Sequence, residues 1–427
     1  MAMPELADHP LRRTLSDELH ARPSPPVPVP AEAFYIALMP AAGGPRDRTA
    51  ERAHLAELLA RYDIPAPAAG VTHFTGQIGD AVLKWESHAE VFSYTVITPQ
   101  LGEATFSPDA LISAEWLASA PGLRLVSACF RVEEMPKAET VLAEKLSNWF
   151  VAESLAAARV IDGHAVAASD FRMDGSGHTR FALFVEHGTG ARRVGRLLQR
   201  LCEIELYATL SLLGFAAAQR IAAPMAEIEA RLTDIVSGLA TGGASAEESL
   251  GLLLSVSSEL EGLIAGESFR FGATGAYEAI AHHRVAALRE ERIPGYQTFA
   301  EFMQRRYDPA MRTARSAERR LTSMANRAER AGDLLRTRVD VGRSAQTRAL
   351  LVNMDRRSDQ QLRLQHTVEG LSIAAISYYA VSLSSYLLLP FAEMWHLPKS
   401  LLMAGIVPVI MLGVALMLRR IRAGFHD

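Results

Sequence analysis

Two apolar runs near the end of the chain restrict its architecture more than any other feature. The first sits inside "RRSDQQLRLQHTVEGLSIAAISYYAVSLSSYLLL", Arg356–Leu389, where a charged third passes into an apolar two-thirds with no proline or turn cluster between them. Gly370 is the only glycine there, and from Val368 to Leu389 the only ionisable carboxylate is Glu369, at the edge. A helix of that length crosses roughly 30 Å of hydrocarbon. The second run, Leu401–Leu418, is at the short limit for a span and meets Arg419, Arg420 and Arg422 as soon as it ends. Between them lies "PFAEMWHLPKS", too short for a domain, with Trp395 placed like an interfacial aromatic. The pattern predicts a two-helix transmembrane hairpin over residues 368–418.

Positive charge orients the hairpin. Arg348, Arg356, Arg357 and Arg363 precede the first run, Arg419, Arg420 and Arg422 follow the second, and the intervening loop holds only Lys399. The excess of arginine outside the hairpin predicts that both chain termini are cytoplasmic, with residues 419–427 a basic cytoplasmic tail.

Charge is uneven along the rest of the chain. Formal net charge over the 427 residues is −4, yet residues 312–363 carry thirteen Arg against six acidic residues and residues 364–427 carry +1, which leaves −12 for residues 1–311. An acidic head argues against nucleic acid as its partner, because phosphates need a basic face. A basic segment beside a lipid surface fits instead. Cys129 and Cys202 lie far apart in apolar contexts, which argues against a disulfide framework and a cysteine metal cluster. The N-terminus, "MAMPELADHPLRR", lacks the apolar core of a signal peptide.

The first thirty residues predict a helix, capped by Asp8 or His9 with Leu11, Leu15 and Leu19 on one face, and then a proline-rich tether, "PSPPVPVP". Residues 31–188 predict an α+β domain with a mostly antiparallel sheet. "AFYIALMP", "VTHFTGQIG", "AVLKWES", "VFSYTVIT" and "RLVSACFRV" read as strands, with helices at 47–62 and 109–119. Three more strands are joined at Asp162-Gly163 and Asp174-Gly175, favoured hairpin turns. Residues 189–297 predict helices only, over 190–218 and at about 225–240, 246–266 and 271–291, broken by "TGGAS" and "GESFRFG". Residues 298–367 predict one stalk helix, in which Leu321, Met324, Ala328, Ala331, Leu335, Gly342, Ala345 and Ala349 form a seam for close helix packing.

Motifs for chemistry are sparse. "FVEHGTGARRVGR" runs from a strand through Gly188-Thr189-Gly190 into a helix, but Arg193 fills the third glycine position of a dinucleotide fingerprint. Arg192, Arg193 and Arg196 at that helix start suit an anion, although an ordinary helix start explains them. His282-His283 diverge on a helix, and Asp174–His178 reads as a tight turn. These observations imply no enzyme and no cofactor, and assign no metal ligand. In the first span, Tyr378, Ser382 and Ser385 share one face, Ser377 and Ser384 a neighbouring one. Such hydroxyls line pores or hold helices together in lipid, and the second reading is preferred.

"HPLRRTLSDELHARP", "REERIPGYQTF", "DLLRTRVDV" and "MDRRSDQQLRLQHTVEGLSIAAISYYAVSL" resemble a family of bacterial membrane-anchored proteins known only as a domain of unknown function. That resemblance implies the bacterial inner membrane, and it carries no activity. The order of elements also resembles, more loosely, the CorA magnesium transporter superfamily, a pentameric funnel whose first span lines the pore. That likeness implies a divalent cation as partner. The Gly-Met-Asn tripeptide ending the family's first span is replaced here by "YLLLPFAEMW", leaving Ser377, Ser384 and the carboxylate of Glu393 as candidate pore and mouth residues. The expectation is therefore an oligomeric membrane-anchored scaffold or sensor, with a CorA-like channel of altered filter as the alternative.

Overall fold

The structure is a computed structural model that describes residues 8–13, 15–16, 23–41, 46–102, 105–106, 112–241, 245–394 and 398–423. The chain divides into two compact units, one of residues 1–243 with 251–331, the other of residues 244–250 with 332–427.

The first unit is built on a nine-stranded sheet: β1 (Ala31–Met39), β2 (His73–Ile78), β3 (Ala81–Ser87), β4 (Phe92–Thr98), β5 (Leu123–Glu134), β6 (Ala156–Val160), β7 (Ala165–Met173), β8 (Thr179–Val185) and β9 (Glu291–Arg292). Their order is β2-β3-β4-β1-β5-β8-β7-β6-β9. The sheet is mixed, which corrects the expectation of a mostly antiparallel one. β5 and β8 pair in parallel, with Phe130 opposite Phe181 and the two rings stacked at 4.9 Å. The parallel step arises because a helix and the β6–β7 hairpin intervene before β8 docks on β5; a tight turn cannot join parallel neighbours.

Period-two patterning puts helices on both faces. Along β1, Ala33, Tyr35 and Ala37 enter one core, while Phe34, Ile36 and Leu38 enter the other. The second core is closed by α1 (Arg48–Ala60), α2 (Ala114–Ala118) and α3 (Glu139–Trp149), through Leu55, Leu59, Trp116 and Leu146. α1 starts where the Asp47 side chain accepts from the Thr49 and Ala50 amides, two donors the first turn cannot satisfy itself. His54 of α1 stacks on Trp116 at 3.9 Å and bonds the Tyr94 hydroxyl and the Trp116 carbonyl. Burial pushes the His54 pKa down. Part of the predicted helix at 109–119 lies outside the described residues, and α3 is a helix that the sequence pattern does not predict.

The first core lies under α4 (Ala191–Thr241), α5 (Ala246–Ala286), α6 (Phe299–Arg306) and the start of α7 (Asp308–Met394). Four expectations are corrected by these helices and the strand beside them. "GESFRFG" does not break α5, because Phe271 is buried and Glu267 pairs with Arg220 of α4 at 2.6 Å, so packing outweighs the glycine cost of about 1 kcal/mol each. The predicted break before residue 225 is also absent, and α4 continues through Pro224. A strand does occur after residue 189: β9 pairs with β6 through Ala158↔Arg292. The helix expected from Thr298 is interrupted at Tyr307. Thr298 and Glu301 form a reciprocal capping box for α6, and α7 starts afresh with Pro309 in its first turn.

The predicted tether is docked rather than loose. Val27 is fully buried and its amide donates to the Ala191 carbonyl at 3.0 Å. At the N-terminus the Leu11 amide donates to His9 Nδ1, so His9 caps; Leu19 lies outside the described residues. The β6–β7 turn places Asp162 and Gly163 in the left-handed region, as expected of that pair, whereas in the β7–β8 turn Gly177, not Gly175, takes that conformation.

In the second unit α7 runs unbroken to Met394, past Pro390, and α8 (Lys399–Ala423) follows. The expected end of the first span near Leu389 is thus not a helix end. Trp395 lies outside the described residues.

Candidate functional site

Four helices are long and apolar enough to cross a membrane, by length and composition: α4, α5, α7 and α8. Their surroundings differ. The apolar stretch of α4 is half buried in its own unit, and α5 carries Glu259, Glu267 and Arg270 in ion pairs along its length. The apolar stretches of α7 and α8 have little or no protein cover, 11% and 0% buried. Leu371, Leu383 and Tyr386 are each more than two-thirds exposed, as are Leu387 and Val409. Apolar patches beyond a few hundred Å² are rare on soluble monomers.

The serine candidates separate on this surface. Ser385 donates to the Val381 carbonyl at 2.6 Å and reaches Met403 Sδ of α8 at 3.2 Å. Ser377 is buried and its hydroxyl has no hydrogen-bond partner among the described residues. Ser384 is partly exposed, and Tyr378 and Tyr379 face outward. Glu393 lies in the last turn of α7. Arg356, Arg357 and Arg363 are exposed on α7, Arg419 and Arg420 are exposed on α8, and Arg422 lies near that helix's end.

The seam residues divide in two. Leu321, Met324, Ala328, Ala331 and Leu335 are buried, whereas Gly342, Ala345 and Ala349 are exposed. Ion pairs Arg320–Glu229 and Arg315–Glu278 tie the buried stretch of α7 to α4 and α5 within the first unit. The early part of the seam therefore packs against its own chain.

A second feature was only hinted at by the arginines at the start of α4. A cavity of about 270 Å³ is lined by Ile161, Asp162, Arg193, Arg196, Arg200, Ala287, Leu288 and Arg289. Three chain segments meet there: the β6–β7 turn, one side of α4, and the chain leaving α5. Asp162 holds Arg193 and Arg289, each at 3.2 Å. Arg200 donates to the Ala287 carbonyl at 3.0 Å, and Arg196 has no carboxylate partner among the described residues. Burial, then the charges of Arg196, Arg284 and Arg289, push the Arg200 pKa down. Ile161, Asp162 and Arg289 all hold left-handed backbone, costly for side-chain-bearing residues, so the cavity's rim is set by the surrounding fold.

Other motifs resolve as structure. Gly188 turns the chain into α4, and Asp174 accepts from the Ser176 and His178 amides in its hairpin. His282 pairs with Asp308 at 3.3 Å. Among the described residues no group of three or more His, Cys, Asp or Glu side chains is placed to hold a metal ion.

A protein-family model described as "Protein of unknown function (DUF3422)" matches residues 7–425. The chain belongs to the DUF3422 family. No curated protein and no solved structure matches it. The DUF3422 description carries no activity, and the CorA likeness gains nothing from these comparisons.

Proposed function

We propose that this protein is a membrane-anchored, oligomeric scaffold or sensor. In this reading its α+β head is cytoplasmic and the ends of α7 and α8 form an antiparallel transmembrane hairpin in a bacterial inner membrane. One observation carries the reading: two successive apolar helical stretches with little or no protein cover, flanked by arginines. Lipid satisfies that surface, and the helix satisfies its own backbone. Ser385 turned toward Met403 supports an anchor whose small polar residues join helices, rather than a wet pore. Self-association is supported by the stretch 340–364 of α7, exposed on all sides with Val341, Leu350, Leu351, Met354, Leu362 and Leu364 in water. A lone helix in water is marginal, so a second copy is the natural cover.

Topology tests the reading directly. Cys129 and Cys202 are both buried, so an introduced cysteine labels against a quiet background. Ser400→Cys is expected to react with an impermeant thiol reagent added outside intact cells, and Ser358→Cys only after the cells are opened. The reverse pattern overturns the orientation; no protection of either overturns the span. The channel reading is tested by cation flux into liposomes, where robust flux that falls in Glu393→Gln would displace the anchor reading.

A further inference from the structure

We propose that the arginine cavity of the first unit binds a small phosphate-bearing anion, a polyphosphate or a phosphate monoester. Four guanidinium groups and one carboxylate line it, a formal local charge of +3. Asp162 occupies two of the four, and the Ala287 carbonyl uses one donor of Arg200, so Arg196 and the remaining face of Arg200 have no anionic partner among the described residues. Converging like charges repel, and a protein tolerates that where an anion completes the site. The acidic balance of residues 1–311 sharpens the point: the cavity is a basic island on an acidic head.

Shape and chemistry select the class. Arginine presents a planar fork of donors that matches phosphate oxygens in pairs, and it keeps its charge at any accessible pH. A phosphomonoester carries nearly two negative charges at neutral pH and three acceptor oxygens, enough to engage Arg196 and Arg200 while Arg193 and Arg289 stay on Asp162. The volume equals roughly nine waters at about 30 Å³ each, more room than a single water or chloride needs. Ile161, Leu288 and Ala287 supply an apolar wall for whatever carries the phosphate.

Inorganic pyrophosphate is the probe, titrated into full-length protein in neutral-lipid vesicles at constant ionic strength and followed calorimetrically. Saturable binding is expected, at one site per chain and tighter at pH 7.5 than at pH 5.5 as the phosphate loses its proton. Arg196→Gln and Arg200→Gln are each expected to weaken it about tenfold, and Arg196→Lys less, because charge survives but the fork does not. Arg192→Gln removes the same charge beside the cavity without lining it and is expected to leave binding unchanged. Absence of saturable binding, or equal weakening by Arg192→Gln, overturns the proposal, and preserved melting of each variant separates lost binding from lost folding. Including a lipid with a phosphomonoester headgroup distinguishes the sources. Competition with pyrophosphate assigns the site to a lipid headgroup, and its absence to a soluble phosphate.

Discussion

Replacing Gly195 by alanine should detach the proline-rich strap from α4. The added Cβ would lie 2.0 Å from the Pro25 carbonyl oxygen and 3.1 Å from its carbon, where non-bonded atoms prefer roughly 3.5 Å. α4 cannot yield, because Val194, Leu197 and Leu198 on either side of Gly195 are buried in the core beneath the sheet. The strap must retreat by more than about 1 Å. That movement exposes Val27, whose full burial is worth about 1.5–3 kcal/mol, and loosens its 3.0 Å bond to Ala191, worth about 1 kcal/mol. Alanine is the better helix former by about 1 kcal/mol, so propensity alone predicts a more stable protein. The steric term is larger and should win, leaving a net loss of about 2 kcal/mol. Hydrogen exchange separates the two, since helix propensity does not act on the strap. The Val27 amide should exchange about a hundredfold faster in the variant, following from a strap weakened by about 3 kcal/mol. An unchanged Val27 amide in a stabilised variant would refute the close approach.

Glu205 of α4 accepts from the Thr179 hydroxyl at 2.8 Å, and burial pushes its pKa up to about 7 despite that bond. The folded protein then holds a proton that the unfolded chain releases above about pH 4.5, so stability falls as pH rises toward 7 and is flat beyond. The shift corresponds to about 3 kcal/mol at most, and partial solvent contact reduces it to ~1–2 kcal/mol. Glu205→Gln should melt a few degrees above wild type at pH 8 and level with it near pH 4.5; a gap independent of pH would refute the assignment. Ala328→Leu should destabilise the isolated chain by about 1–3 kcal/mol through overpacking. Ala345→Leu, on an exposed stretch, should leave the fold intact and alter subunit count measured in detergent; equal effects of the two on melting would contradict the division of the seam.

The parts of the fold legible from sequence are those governed by neighbours in the chain. Alternation of apolar and polar residues marked β2 to β4, short apolar runs marked β1 and β5, and Asp162-Gly163 marked a real turn. The boundaries of long helices were less legible. Gly266 and Gly272 read as a break, yet both meet open space, and the helix is held across them by Phe271 and the Glu267–Arg220 pair. The two-residue β9 has no pattern of its own to detect; it exists because the backbone after α5 reaches the free edge of β6.

By itself the sequence determined the features that depend on composition over one turn or one strand: two long apolar stretches, the arginines beside them, most of the strands, and an acidic head. Solvent preference acts residue by residue, so these survive any arrangement of the elements. Only the tertiary structure decided which elements meet. It set β8 parallel to β5, turned the first half of the α7 seam onto α4 and α5, and brought Asp162, Arg193, Arg196, Arg200 and Arg289 from three segments around one cavity. Contacts between residues far apart in the chain depend on the packing of whole faces, and no local pattern encodes which distant face will be the partner.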